Sequence, residues 1–218
     1  MKRARILIAD DHELVRQGLR KVLGAHPEWE VCGEAENGRQ AVELARQAKP
    51  DLVILDFSMP ELNGLEAGRQ IRKDSPRTEV LILTMHETDR LARDVLASGA
   101  RGFILKSDAG RVLVQAVEAL LDHKPFFTGK VSEMVLEGFL HPGKDGAAGE
   151  DDATPLTPRE REIVQLVAEG KSSKELADAL GIAVGTAETH RTNIMRKLRV
   201  RSATELVRYA IRNQIVQP

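Results

Sequence analysis

The chain has 218 residues, room for one large or two modest domains, and its 42% hydrophobic and 30% charged residues are the balance of an ordinary globular protein. No apolar run approaches the roughly 20 residues that a membrane-spanning helix needs, and the single Cys32 excludes an internal disulfide, which fits a reducing, cytoplasmic compartment. The net charge of −1 hides a division: residues 1–122 carry 18 basic and 20 acidic side chains, residues 123–154 carry 3 and 6, and residues 155–218 carry 11 and 7. A basic end on an acidic body predicts a polyanion partner for that end alone. Met1-Lys2-Arg3 has the charge of a signal-peptide start, but Asp10 and Asp11 interrupt the apolar stretch too early. With aromatics at 3%, the cores must be aliphatic.

In chain order, Ile6-Leu7-Ile8 reads as a short buried strand running into Asp10-Asp11. A helical face follows in Leu14, Val15, Leu19, Val22 and Leu23, then a strand around Val31-Cys32-Gly33, then a second helical face in Ala41, Val42, Leu44, Ala45 and Ala48. Leu52-Val53-Ile54-Leu55 runs into Asp56, Val80-Leu81-Ile82-Leu83 into Thr84, and Phe103-Ile104-Leu105 into Lys106. Helix-period segments at 65–71, 91–96 and 112–120 separate or follow these runs. Strand and helix thus alternate five times up to Asp122, which predicts a parallel sheet with right-handed crossovers and helices on both faces. Ligands of such sheets bind beyond the carboxyl ends of the strands. Asp10, Asp11, Asp56, Thr84 and Lys106 should therefore meet at one edge, a set suited to a metal and a phosphoryl group. The plain alternative, that Asp10-Asp11 only cap the helix opening near Glu13, loses weight beside three matched strand ends.

Residues 131–140 read as a short helix, and residues 141–152 (His-Pro-Gly-Lys-Asp-Gly-Ala-Ala-Gly-Glu-Asp-Asp) as a tether with a root-mean-square span of about 20 Å. From Pro155 the pattern is all helix. Thr157-Pro158-Arg159-Glu160 is a capping box with proline at the first helical position, opening a helix that buries Ile163, Val164, Leu166 and Val167. Ser172 and Glu175 open a second helix, ended by Gly181. A third is predicted over about 185–198 and a fourth over 202–213. Two short helices joined at a glycine form a helix-turn-helix pattern.

Two sets of motifs carry a resemblance. Ala9-Asp10-Asp11-His12, Asp56 followed by Met59-Pro60 and Asn63-Gly64, Thr84, and Gly102-Phe103-Ile104-Leu105-Lys106 resemble the receiver domain of bacterial response regulators. Residues 156–162, 170–177 and 189–198 (Thr-His-Arg-Thr-Asn-Ile-Met-Arg-Lys-Leu) resemble the LuxR-type DNA-binding domain. Together they look like the NarL/FixJ family of two-component regulators. The resemblance implies a flavodoxin-like (βα)5 receiver with a five-stranded parallel sheet at 1–122, a linker with a short helix at 123–154, and a four-helix helix-turn-helix domain at 155–218. It also implies phosphorylation of Asp56 by a sensor histidine kinase, with Mg²⁺ held by Asp10, Asp11, Asp56 and the Ser58 carbonyl. Thr84 and Lys106 would meet the phosphoryl oxygens, and Phe103 would turn inward as Thr84 moves.

The resemblance places base reading on Glu188, Thr189 and Thr192 of the third C-terminal helix and a backbone contact on Lys174. Arg191, Arg196, Lys197, Arg199 and Arg201, with no acid between them, suit phosphate. The expected partners are the kinase, double-stranded promoter DNA, a second copy after phosphorylation and RNA polymerase; no membrane is involved. Ala203, Leu206, Val207 and Ala210 of the fourth helix are the expected contact between DNA-bound copies. Phosphorylation is expected to relieve inhibition of the basic domain by the acidic receiver. Three residues depart from the family pattern: Ser107 stands where many receivers have proline, Ala183 where a serine caps the recognition helix, and Ala187 where valine is common. A haloacid dehalogenase-type phosphatase would need an aspartate where Ser58 stands, so the expectation is a regulator and not an enzyme. The remaining alternative is a receiver that acts through protein contacts, with weak or phosphorylation-independent DNA binding.

Overall fold

The computed structural model of the chain describes residues 3–85, 88–140 and 156–216. It forms two compact units, Met1–Gly146 and Ala147–Pro218. The tether expected at 141–152 lies outside the described residues.

The first unit alternates β1 (Ala4–Ala9), α1 (Glu13–Gly24), β2 (Trp29–Ala35), α2 (Gly38–Ala48), β3 (Leu52–Asp56), α3 (Gly64–Asp74), β4 (Glu79–Thr84), α4 (Asp89–Ser98), β5 (Gly102–Leu105) and α5 (Lys106–Leu121). The strands are parallel in the order β2-β1-β3-β4-β5, the flavodoxin-like arrangement whose switch point lies between β1 and β3. Odd and even strand positions divide the aliphatic core into two layers. Leu7, Val53, Leu55, Val80, Ile82 and Phe103 face one, and Ile6, Ile8, Ile54, Leu81, Leu83 and Ile104 face the other.

The sheet has six strands, not the five expected. After α5 the chain turns through His123 at φ 59°, and β6 (Phe126–Phe127) pairs parallel with β5. Phe126 donates its N–H to the Arg101 carbonyl at 2.8 Å and Thr128 to the Phe103 carbonyl at 3.1 Å. Phe126 enters one core layer and Phe127 the other, as strand alternation requires. A strand of two residues is too short to register as an apolar run, which is why periodicity missed it. α6 (Gly129–Leu140) follows, packs against α4 and buries Val131 in the core layer of Phe103.

Leu14 does not join the inward face of α1; it is 81% exposed. Val15, Leu19, Val22 and Leu23 do face the core, and Arg16, which periodicity left out of that face, is buried beside them.

The second unit contains α7 (Pro158–Ala168), α8 (Ser173–Leu180), α9 (Val184–Lys197) and α10 (Ala203–Arg212). Thr157–Glu160 and Ser172–Glu175 both form the expected reciprocal capping boxes, and Gly181 closes α8 in the left-handed conformation at φ 63°. Ile163, Val164, Leu166, Leu176, Ala187, Ile194, Leu206 and Ala210 make the core. Leu206 and Ala210 are thus spent inside their own unit, which corrects their expected role between copies. A helical spacing of apolar residues does not distinguish an internal face from an external one. Of that set, Ala203 is exposed and Val207 half-buried.

Candidate functional site

β1 and β3 are neighbours, so their carboxyl ends bring Asp10 and Asp56 side by side, and both are buried. Ligand atoms of Asp10, Asp11, His12 and Asp56 all lie within 4.8 Å of one another. Asp11 does not cap α1: the N-cap position is His12, and no side chain makes a cap bond there. That leaves the Asp11 carboxylate to the cluster. The His12 N–H donates to Asp10 Oδ1 at 2.9 Å and folds the loop tightly over it. Arg16, 8% exposed, reaches under the same loop and donates to the Asp10 carbonyl oxygen at 2.8 Å and to Glu36 Oε1 at 2.9 Å. Its inward place on α1 therefore anchors the backbone that carries the carboxylate.

Lys106 opens α5, with its ammonium 2.7 Å from Asp10 Oδ2 and 3.0 Å from Asp56 Oδ1. Both contacts are at charge-assisted hydrogen-bonding distance. Burial raises the Asp56 carboxyl above its ordinary value; the Lys106 charge pulls the other way, and Asp10 adds to the rise. For Lys106, burial disfavours the ammonium, but the bonds and charges of Asp10 and Asp56 outweigh it and the group stays raised. One cation thus serves two buried anions. A divalent ion would complete the balance, and the all-oxygen carboxylate set matches Mg²⁺ chemistry.

Thr84 ends β4 and is 2% exposed, beside the cluster through the pairing of β3 with β4. Ser58 lies half-buried in the loop after β3. Gly64 explains why that loop can press so closely: a Cβ there would stand 2.1 Å from the Asp56 carbonyl oxygen. Phe103 is fully buried already. That is the inward position the family pattern gives the ring. Through the Thr128 bond and Val131, Phe103 also ties β5 to β6 and α6. The Lys106–Ser107 peptide is trans.

In the second unit, Lys174, Glu188, Thr189, Thr192 and Arg196 are exposed. The Thr189 and Thr192 hydroxyls donate back one turn, to the Gly185 and Glu188 carbonyls at 2.8 and 3.0 Å, so what remains to meet a partner is the methyl and the acceptor lone pairs of the oxygen. Arg191 donates to Ser173 Oγ at 3.0 Å, and Lys197 lies 2.6 Å from Glu160 Oε2. These two cations hold α9 against the starts of α8 and α7. α9 has no side-chain cap, as Ala183 predicts. Sequence reasoning assigned no role to Arg16 or to the Glu160–Lys197 pair; the single charged residue on the inward face of α1 was the available signal for the former.

Residues 6–118 match the family described as the response regulator receiver domain, and residues 154–210 match the bacterial regulatory proteins of the luxR family. The chain is a two-component response regulator of the NarL/FixJ type. Among relatives of this regulator, the transcriptional regulatory protein LiaR of Bacillus subtilis is 37% identical over 212 residues, 97% of this chain and 99% of that one. The oxygen regulatory protein NreC of Staphylococcus carnosus is 36% identical over 214 residues, again 97% and 99%. Among solved structures, RcsB of Salmonella enterica serovar Typhimurium bound to promoter rprA with the phosphomimetic BeF3⁻ superposes with a TM-score of 0.61 at 27% identity, covering 95% of this regulator and 98% of that chain. A LuxR-family response regulator from Aurantimonas sp. SI85-9A1 gives 0.59 at 34%, covering 64% and 100%. Among the described residues, no helix is long and apolar enough to cross a membrane.

Proposed function

We propose that Asp56 accepts a phosphoryl group from the phosphohistidine of a sensor histidine kinase, and that this modification promotes binding of the second unit to promoter DNA as a dimer. An Asp56 carboxylate oxygen would attack phosphorus in line, forming the acyl phosphate as the N–P bond to the donor imidazole breaks. Asp10, Asp11, Asp56 and the Ser58 carbonyl would hold Mg²⁺, which when bound neutralises the crowded oxygens. Lys106 would move its charge from Asp56 to a phosphoryl oxygen, and the Thr84 hydroxyl would donate to another. The observation that carries the reading is the placement of Lys106 between two buried carboxylates at the mouth of a metal-sized cluster.

On DNA, α9 would enter the major groove. Glu188 can accept from a cytosine amino group, and the methyls of Thr189 and Thr192 suit thymine. Lys174, Arg191, Arg196 and Lys197 supply charge toward phosphate, the exposed Lys174 and Arg196 most directly. Paired half-sites about one turn, ~10 bp, apart follow from a dimer. Support for a DNA partner comes from the RcsB complexes with DNA, at 27% identity. The chain would act in the cytoplasm, with the output domain beginning near 155.

Mass spectrometry after acetyl phosphate treatment tests the first step. One phosphoryl adduct, absent in Asp56→Asn and suppressed by EDTA, is expected. An adduct that survives in Asp56→Asn, or forms fully in EDTA, contradicts the proposal.

A further inference from the structure

The cations of α9 are all drawn toward protein partners. Arg191 donates to Ser173 Oγ at 3.0 Å, Lys197 pairs with Glu160, and Arg196 donates to Asn193 Oδ1 at 2.9 Å. Toward the amino end of the helix, Val184, Gly185, Glu188, Thr189 and Thr192 are exposed. They form two rows with residues one turn apart, Val184–Glu188–Thr192 and Gly185–Thr189, and no cation stands in either before Arg196. The Glu188 carboxylate has no partner among the described residues. The threonine hydroxyl protons are spent on backbone carbonyls. The rows therefore offer methyl groups and acceptors, and no free side-chain donor.

Val184 is the large apolar side chain that the second unit leaves exposed among its described residues, at 44%. A lone exposed valine is ordinary on a protein surface. This one occupies the first turn of α9, and the amino end of a recognition helix is the part that meets base edges. Beside it, a Cβ on Gly185 would meet nothing within 4 Å, so the surface between Val184 and Thr189 is open to a base edge. In the major groove both purines present the N7 acceptor, which such a face cannot bond and the Glu188 charge repels. Thymine instead presents a methyl and cytosine an amino donor.

We propose that Val184 is a base-reading residue and that α9 reads a single pyrimidine strand, with a cytosine amino group donating to Glu188 and neighbouring thymine methyls packed on Val184 and the threonine methyls. This rests on the reading of the second unit as a DNA-binding domain. From Val184 to Thr192 the helix rises about 12 Å, which limits the tract to about four base pairs. Guanine and adenine of the opposite strand pair with the tract and are not themselves read.

The test uses the full chain treated with acetyl phosphate and a randomised duplex library. Selection should enrich a half-site with cytosine beside thymines on one strand. In the selected duplex, deoxyuridine in place of each thymine in turn removes only the methyl. At one position that change should weaken the wild type about fourfold, the weight of one buried methyl-sized group, and leave Val184→Ala unaffected. Deazaguanine opposite the cytosine, which lacks N7, should change nothing. Because Val184 is exposed, its substitution leaves the core of the second unit intact. Equal deoxyuridine losses for wild type and Val184→Ala at every position overturn the role of Val184. A half-site without the tract, or a loss with deazaguanine, overturns the pyrimidine reading while DNA binding stands. A library from which nothing is enriched overturns the DNA-binding reading itself, and this proposal with it.

Discussion

The two units treat charge in opposite ways. At the receiver site Asp10 and Asp56 are buried and the Lys106 side chain is only 10% exposed, so each charge depends on the others and the whole arrangement is poised for one more. On α9, Glu188, Thr189, Thr192 and Arg196 stand in solvent, and the bonds that Thr189, Thr192 and Arg196 make are local to the helix itself. Substitutions in the first region should therefore alter stability and chemistry together. In the second, they should alter recognition and leave the fold alone.

The largest expected effect that sharpens this contrast is Lys106→Met. Removing one partner of a buried ionic cluster leaves two uncompensated carboxylates, a cost of about 3 kcal/mol. Denaturant unfolding without metal should show that loss, and added Mg²⁺ should recover much of it. The matching change on α9, Arg196→Met, should leave the unfolding midpoint unmoved. A loss for Arg196→Met as large as for Lys106→Met would erase the distinction.

Gly64→Ala comes next. Its Cβ would collide with the Asp56 carbonyl oxygen, so either α3 or the strand end must shift, at about 1–3 kcal/mol. Phosphorylation by acetyl phosphate should slow in the same variant. Unchanged stability with unchanged labelling would show that the loop after β3 is looser than this packing implies.

A smaller effect concerns Lys197, a functional cation that the second unit pairs with a carboxylate of its own. Burial pushes the Glu160 carboxyl up, but Lys197 and the Thr157 cap bonds outweigh it and hold the group below its ordinary value. A depressed carboxyl contributes stability that is present above its unfolded value and lost as pH falls through the folded one. Thermal unfolding of the second unit should therefore weaken as pH drops below the ordinary glutamate range, and Glu160→Gln should flatten that slope. A slope identical in Glu160→Gln would remove the pair from the account.

The smallest is a gain. Ala183→Ser should restore a cap at the start of α9 and stabilise the second unit by up to about 1 kcal/mol. No change in its midpoint would mean that the N–H groups there are satisfied by solvent alone.

The contrast between the units also explains what was legible in the sequence. Four buried parallel strands announce themselves as apolar runs, and parallel topology carries their last residues to one edge, so Asp10, Asp56, Thr84 and Lys106 could be assembled before any coordinates. The capping boxes at Thr157 and Ser172 were legible because the chemistry of a helix start is local. What escaped depended on contacts between distant segments. β6 is two residues that exist as a strand only because β5 offers an edge. Arg16 turns inward, though charged, because its tip finds the Asp10 carbonyl. The exposed Leu14 and the buried Leu206 share one cause: helical spacing identifies a face without saying what lies opposite.

The central claim is that the state of Asp56 governs how the second unit meets DNA. The direct measurement is a titration of one promoter fragment at matched salt with the wild-type chain, with and without acetyl phosphate, and with Asp56→Asn under both conditions. The account predicts tighter binding, to a dimer, for the phosphorylated wild type alone, with the isolated fragment 155–218 binding at least as well as the unphosphorylated chain. Equal affinity in all four arms would contradict it and favour a receiver that acts through protein contacts, with DNA binding independent of phosphorylation.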